Sequence, residues 1–295
     1  MTKDAVLAIL RKENDYISGE HISRLLGVSR AAVNTAVKAL RADGYEISSS
    51  TNKGYHLDAV PNSISAQELA AYLDEARMQT VECLASVDST NNRLRELALA
   101  GAPNGQVVLA NEQTQGKGRR GRAFASPQDN GIYLSILFHP DTLPTDIVEI
   151  TAWTAVATNN AIEEVCGVRA GIKWVNDLVI DRKKICGILT EMSVESESGY
   201  IQYLIIGIGI NVNGQAEDFP EEVRHIATSL AMETGKAHSR AALAAALIRE
   251  LDSMCRAWPK EKTEYLEAYR RDNITTGKEI TVVRGTEEAP AFAVA

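Results

Sequence analysis

Apolar residues fall at helical spacing over Val6, Leu7, Ile9 and Leu10, and again over Val33, Val37 and Leu40, which predicts two helices that each bury one face. A further helix from about Gly19 to Leu26 lies between them. Gly27 stops it, and Ser29 is placed to cap the next. Tyr45 to Ser48 and Asn52 to Leu57 then read as a short hairpin. Helix, glycine turn, helix and hairpin in this order predict a winged helix-turn-helix over residues 1–60.

The pattern changes after Asp58 to Ser63, a linker containing Pro61. Ser65 and Glu68 form a capping box that predicts a helix to about Gln79. Asn92 to Ala100 is helical and ends at Gly101, and Val107 to Ala110 is a strand. Ile132, Leu134, Ile136 and Phe138 alternate with Tyr133, Ser135 and Leu137, a strand that buries at least one face. Thr145 is placed to cap a helix reaching Cys166, with Gly167 at its end. Strands follow near 170–174, 178–180, 184–194 and 200–212, with Asp181-Arg182-Lys183 as a hairpin turn. Helices then run from about Ser239 to Ala257 and from Lys260 to Arg270. Successive strands without helical crossovers predict a mixed or antiparallel sheet, hence an α+β domain over residues 61–273. Gly277 to Arg284 opens a last strand-rich unit, 274–295, which is too short to close a small barrel and is expected to be partial or to pair with something else.

Composition narrows the partners. The chain has 295 residues, 45% of them hydrophobic, and a formal net charge of -8. That charge excludes an overall nucleic-acid coat and confines any DNA contact to a local patch. Cations outnumber acids over residues 1–57, against the trend of the whole. Ser29, Arg30, Asn34, Thr35 and Lys38 are polar positions suited to a major groove, and Lys53 on the wing is suited to phosphate. Cys83, Cys166, Cys186 and Cys255 are far apart with no C-x-x-C spacing, so reduced structural thiols and no metal centre are expected. No signal-peptide pattern or membrane-length apolar run is present, which predicts a cytoplasmic protein with no membrane partner.

The densest candidate chemistry lies at Gln113 to Phe124, where Lys117, Arg119, Arg120 and Arg122 are interleaved with Gly116, Gly118 and Gly121. Glycine lets backbone N–H groups approach an anion, and arginine grips its oxygens in pairs. With so little apolar content the loop is expected to order around a ligand. The glycines also match the dinucleotide fingerprint G-x-G-x-x-G, but they run into Ala123 to Pro127 and a strand, so the helix start that a dinucleotide fold requires is missing. Three more segments are polar where a core would be apolar. Asp88-Ser89-Thr90-Asn91 stands at a helix entrance, which by itself reads as an N-cap. Lys173-Trp174-Val175-Asn176-Asp177 ends one strand, and Arg182 to Leu189 begins the next, which by itself is a charged turn. Ile206 to Asn211 carries glycines that admit a ligand or a second backbone, as a bulged core strand would.

Taken in order, the motifs Asp-Ser-Thr-Asn, Gly-x-Gly-Arg-x-Gly-Arg, Lys-Trp-x-Asn-Asp, Lys-x-x-Gly-Ile-Leu and Gly-x-Gly-Ile-Asn give the chain a close resemblance to the family of bifunctional biotin–protein ligases and biotin-operon repressors. The resemblance covers the winged helix and the central domain. It implies a catalytic sheet of the class II aminoacyl-tRNA synthetase-like, biotin/lipoate ligase type and a partial C-terminal SH3-like barrel. It further implies a reaction in which biotin and ATP, with Mg²⁺, give biotinyl-5′-AMP, from which biotin passes to a lysine of a biotin carboxyl carrier protein. The adenylate-bound homodimer would repress at operator DNA. By the same resemblance Lys184, Arg119 and Asp177 are catalytic. Ser89, Thr90, Asn91, Gln113, Gly116, Lys117, Arg119, Arg120, Lys184, Gly187 and Leu189 meet biotin, and Arg122, Phe124, Lys173, Asn176, Asp177 and Asn211 meet the nucleotide. Val175 replaces the family's proline, and Phe124 stands where an indole is usual, keeping an aromatic face without its N–H donor. The alternatives are a biotin-responsive repressor with weak ligase activity and a lipoate–protein ligase.

Overall fold

The computed structural model describes residues 2–284 and 287–294 and divides the chain into two compact units, Met1–Ser63 and Ile64–Ala295. In the first unit, α1 (Thr2–Lys12), α2 (Gly19–Leu26) and α3 (Arg30–Ala42) precede a hairpin of β1 (Glu46–Ser50) and β2 (Gly54–Ala59). Val6, Leu10, Ile22, Val33, Val37 and Leu40 form its fully buried centre. Ser18 and Ser29 cap α2 and α3 by accepting from the backbone N–H groups of His21 and Ala32. The Arg41 guanidinium donates to the Ile47 carbonyl at 2.9 and 2.6 Å, so the wing is anchored to α3.

The second unit contains a seven-stranded sheet. Its elements are α4 (Ala66–Leu69), α5 (Glu75–Met78), β3 (Val81–Leu84), α6 (Thr90–Leu99), β4 (Val107–Ala110), β5 (Gly131–Phe138), α7 (Ile150–Cys166), β6 (Gly171–Lys173), β7 (Asp177–Ile180), β8 (Lys183–Val194), β9 (Ile201–Asn211), α8 (Leu230–Thr234), α9 (Arg240–Ala257), α10 (Lys262–Asp272) and the hairpin β10 (Glu279–Arg284) with β11 (Glu287–Phe292). The strand order is β3-β4-β5-β9-β8-β7-β6. Only the β3–β4 ladder of this sheet is parallel, and α6 supplies the crossover that a parallel pair needs. The fold is therefore α+β.

β5 is buried along its whole length, on both faces. One face meets α7 and α9 through residues such as Trp153, Leu243 and Leu247. The other meets α6, where Leu94 packs with Val108, Leu137 and Ile205. Trp153 stacks on Tyr265 at 4.0 Å, which fastens α10 to α7. Among the described residues, no helix is long and apolar enough to cross a membrane.

Two expected helices differ. The one begun by Ser65 stops after Leu69, because Asp74 accepts from Arg77 N–H and starts a separate turn, α5. Thr145 does not cap α7. That helix begins at Ile150 after a turn in which Asp146 N–H donates to Leu143. The Asp181-Arg182 turn has positive φ at both residues, 46° and 68°, the type I′ geometry that matches strand twist.

Arg169 joins the end of α10 to the start of β6. Its Nε donates to Asp272 at 2.9 Å, and the Asp272 side chain is only 6% exposed. Burial pushes this carboxyl upward, but the two arginines 169 and 271 outweigh it and hold the group below the ordinary carboxylate range. A depressed native value contributes stability above the unfolded pKa, and that stability is lost as pH falls through the folded one. Asp272→Asn should therefore lower unfolding free energy by about 1.5–3 kcal/mol at neutral pH, the worth of a hydrogen bond to a charged group. It should also flatten the fall in melting temperature below about pH 4, as read by calorimetry across pH.

Candidate active site

The glycine and arginine loop is a narrow hairpin. Gln113 N–H donates to Ser126, Phe124 N–H to Gly116 and Gly118 N–H to Arg122, and the tip, Arg119–Gly121, makes a single 3₁₀ turn. These rungs, with the Thr114 and Gln115 N–H groups donating to the Val87 and Asp88 carbonyls, hold it without a core of its own, so the order expected from a ligand is in part provided by backbone pairing. The hairpin covers one end of a cleft whose other walls are the start of α6, Gly187 to Leu189 on β8 and Gly207 to Gly209 on β9.

The floor is bare by necessity. A Cβ at Gly209 would lie 2.5 Å from the Phe124 ring, and one at Gly207 would run into Asn91 Oδ1. Only glycine lets an aromatic ring and a buried amide settle directly on the strand.

Ser89 occupies the N-cap position of α6 without making the side-chain bond of a cap. Gln113 takes over that role: its Oε1 accepts from Thr90 N–H at 2.9 Å and from Thr90 Oγ at 3.0 Å, while its Nε2 donates to Ser126 at 2.9 Å. The helix start is thus satisfied by a side chain from the loop, which couples the two segments. Asn92 Nδ2 donates to Asp88 at 2.5 Å, the principal reason why that carboxyl sits below its ordinary value. Lys117 Nζ donates to Asn92 Oδ1 at 2.5 Å.

Two cations face the other side. Lys184 Nζ is 2.7 Å from Asp177 Oδ1 and 5.9 Å from the centre of the Phe124 ring. Arg119 Nη1 donates to Asn176 Oδ1 at 3.1 Å, and Asn176 Nδ2 donates in turn to the Ile188 carbonyl. Both cations are held by neutral or singly charged partners at the mouth of the cleft, where an anion can compete for them.

Of the candidate residues, Ser89, Thr90, Asn91, Gln113, Lys117, Arg119, Phe124, Asn176, Lys184, Gly187 and Leu189 line this cleft. Asp177 reaches it through Lys184. Gly116 lies behind it, against the Phe124 carbonyl and Ser126. Arg120, Arg122 and Lys173 are exposed and do not line it. Asn211 spends its amide on the carbonyls of Thr228, at 3.0 Å, and Lys184, at 3.4 Å, so here it braces the backbone of residues 226–228 against β8. In the smaller unit Arg30, Asn34, Thr35, Lys38 and Lys53 are exposed, while the Ser29 hydroxyl is engaged in its cap.

Sequence reasoning missed the polar layer beneath the cleft. Ser135 is fully buried, with its Oγ 2.7 Å from Thr90 Oγ1 and 2.6 Å from Asn91 Oδ1. Glu191 accepts from Asn91 at 2.7 Å and from Arg95 at 2.8 Å. The available signal was a hydroxyl interrupting an otherwise apolar strand.

A mixed sheet with a bare glycine floor, an anion-gripping hairpin over it and a helix-turn-helix unit on the same chain define a ligase-type domain joined to a DNA-binding module. Comparison with known proteins agrees. The Biotin/lipoate A/B protein ligase family matches residues 83–211, and an HTH domain matches residues 2–56. The bifunctional ligase/repressor BirA of Bacillus subtilis is 40% identical over 242 residues, covering 82% of this chain and 74% of that protein. Its counterpart from Escherichia coli is 28% identical over 283 residues, covering 96% and 86%. The biotin protein ligase from Aquifex aeolicus, solved in complex with biotin and ATP, superposes with a TM-score of 0.60 at 27% identity, over 72% of this chain and 85% of that one. The chain belongs to the biotin/lipoate A/B protein ligase family, in its bifunctional ligase/repressor branch.

Gly207→Ala should displace Asn91 from the floor and lower stability by about 1–3 kcal/mol, the usual cost of overpacking a tight site. Urea unfolding measures it, and an unchanged midpoint would show that the floor has slack.

Proposed function

We propose that the cleft forms biotinyl-5′-AMP from biotin and ATP and passes biotin to a lysine of a carrier protein, with the winged helix using the adenylate-bound state to repress transcription. The observation that carries this is the convergence of the Thr90 and Gln113 polar groups and the Arg119 and Lys184 cations on one glycine-floored cleft. In the first step a biotin carboxylate oxygen attacks the α-phosphorus and pyrophosphate leaves. In the second, the lysine amine attacks the acyl carbon, AMP leaves and a proton is released.

The demands of that chemistry match the residues. Two anions must meet, so Lys184 and Arg119 neutralise carboxylate and phosphate oxygens and stabilise the charge of the transition state. Arg120 and Arg122, exposed at the hairpin tip, are available to phosphates as the hairpin closes. Thr90, Asn91 and Gln113 present donors and acceptors to the ureido ring, with Ser89, Gly116, Lys117, Gly187 and Leu189 around them. Phe124, Asn176 and Asp177 would meet the nucleotide, with exposed Lys173 available to its phosphates from outside the cleft and Asn211 acting through the backbone it braces, and Asp177 would take the proton of the incoming lysine. Asp177 is the carboxylate beside the cleft that would neighbour a Mg²⁺ ion, which would supply charge neutralisation on the phosphates.

For DNA, Arg30, Asn34 and Lys38 form a stripe along α3, with Thr35 beside it, Ser29 at its start and Lys53 on the wing. A homodimer through the central sheet is supported by β8. β7 pairs only with its first part, Lys183 to Gly187, and beyond that the outer edge carries exposed Met192 and Val194.

Incubation with ATP, Mg²⁺ and either biotin or lipoate, read by mass spectrometry, should yield adenylate from biotin; adenylate from lipoate alone would contradict the reading. Arg119→Gly should release biotinyl-AMP about ten- to a hundredfold faster, the value of a charge-assisted hydrogen bond, with an unchanged melting temperature. Asn34→Ala should weaken operator binding about tenfold. Lys53→Ala should instead reduce the salt slope of binding by about 1.

A further inference from the structure

A buried arginine lies outside the cleft and touches both roots of the hairpin that covers it. Arg240 is the first residue of α9 and is completely buried. Its Nε donates to the Gly131 carbonyl at 2.8 Å, its Nη1 to Asp129 Oδ1 at 2.9 Å and its Nη2 to Asn111 Oδ1 at 3.1 Å. Asn111 follows β4 and leads into the hairpin. Asp129 and Gly131 follow the hairpin and lead into β5. The roots also meet directly, through Asp129 N–H and the Asn111 carbonyl at 3.2 Å, and Asp129 is held at a φ of 60°. Asn111 is pinned from the other side by the backbone N–H and carbonyl of Ile64, at 3.0 and 2.8 Å.

This placement is costly. A cation at the first position of a helix opposes the helix dipole, and burial of a guanidinium forfeits its hydration. An apolar side chain would fill the space without either penalty. What an apolar group cannot do is hold three acceptors from two chain segments in one plane, which the fixed fork of arginine does.

We propose that Arg240 is a positioning residue for the ligase reaction: it clasps the two roots of the 113–126 hairpin so that Gln113 and Arg119 enter the cleft in fixed places. Without the clasp the hairpin spends most of its time away from the cleft, and ligand binding must first recover the competent arrangement. If the competent fraction falls to about a tenth, affinity falls about tenfold with no change in the groups that touch the ligand. The effect on ligand affinity rests on the function proposed above, whereas the effect on the hairpin itself does not.

Trypsin separates the two, because the hairpin carries its own cleavage sites at Lys117, Arg119, Arg120 and Arg122. In ligand-free protein, Arg240→Met should be nicked at these sites about tenfold faster than the parent at an equal melting temperature, since nicking follows the open population. Asp129→Asn alters the half-exposed end of the clasp and should give a smaller acceleration in the same direction, which keeps the test available if the methionine variant does not fold. Both variants should also release biotinyl-AMP faster. Nicking at the parental rate in the folded variants would overturn the clasp. Faster nicking in a protein whose parent binds no biotinyl-AMP would leave the clasp standing and refute the ligase reading instead.

Discussion

The middle of β9 has to stay bare, and the rest of the site is arranged around the space that this leaves. Gly207 and Gly209 admit Asn91 and the Phe124 ring onto the strand itself. Asn91 is then deep enough to meet Ser135 and Glu191, and these in turn orient Thr90 and Arg95. Ser135, Thr90 and Asn91 are buried, Glu191 and Arg95 are half-buried at the rim, and each has partners, as a low-dielectric interior demands. A side chain on the strand would lift Asn91 and break the layer at its base.

Above that floor the hairpin and α6 depend on each other. The Gln113 side chain completes the first turn of α6 and at the same time joins the two legs of the hairpin through Ser126. Movement of the hairpin therefore withdraws a helix cap, and a ligand held at Thr90 would be felt at the loop. The cations follow a similar logic. Lys184 and Arg119 rest on Asp177 and Asn176, partners strong enough to hold them in place and weak enough to yield to a phosphate. Arg240 anchors the same hairpin from outside, where its fork spans both roots.

Much of this was legible from local pattern. The winged helix announced itself through Ser29, Gly27 and the period of Val33, Val37 and Leu40, because caps, breakers and helical spacing act over a few residues. The α+β class followed from strands without crossovers, and the cleft residues from short motifs. What escaped depended on distance in sequence. Ser65 signalled a helix start, but its length was decided by the competing cap at Asp74. Ser89 looked like a cap, whereas Gln113 performs that function from 23 residues away along the chain. Glu191 and Arg240 carry no local signature, and Ser135 shows only as a hydroxyl within an apolar strand, since their importance lies in partners that only the folded sheet brings near.

If one cleft, between the hairpin and the glycine floor, holds the acyl-adenylate, a crystal structure of the protein with biotinyl-5′-AMP will show it there. The ureido ring should lie beside Thr90 and Gln113, the phosphate within hydrogen-bond reach of Arg119 or Lys184, and the ligand over Gly187, Gly207 and Gly209. Adenylate bound elsewhere, or bound here with neither cation on its phosphate, would contradict it.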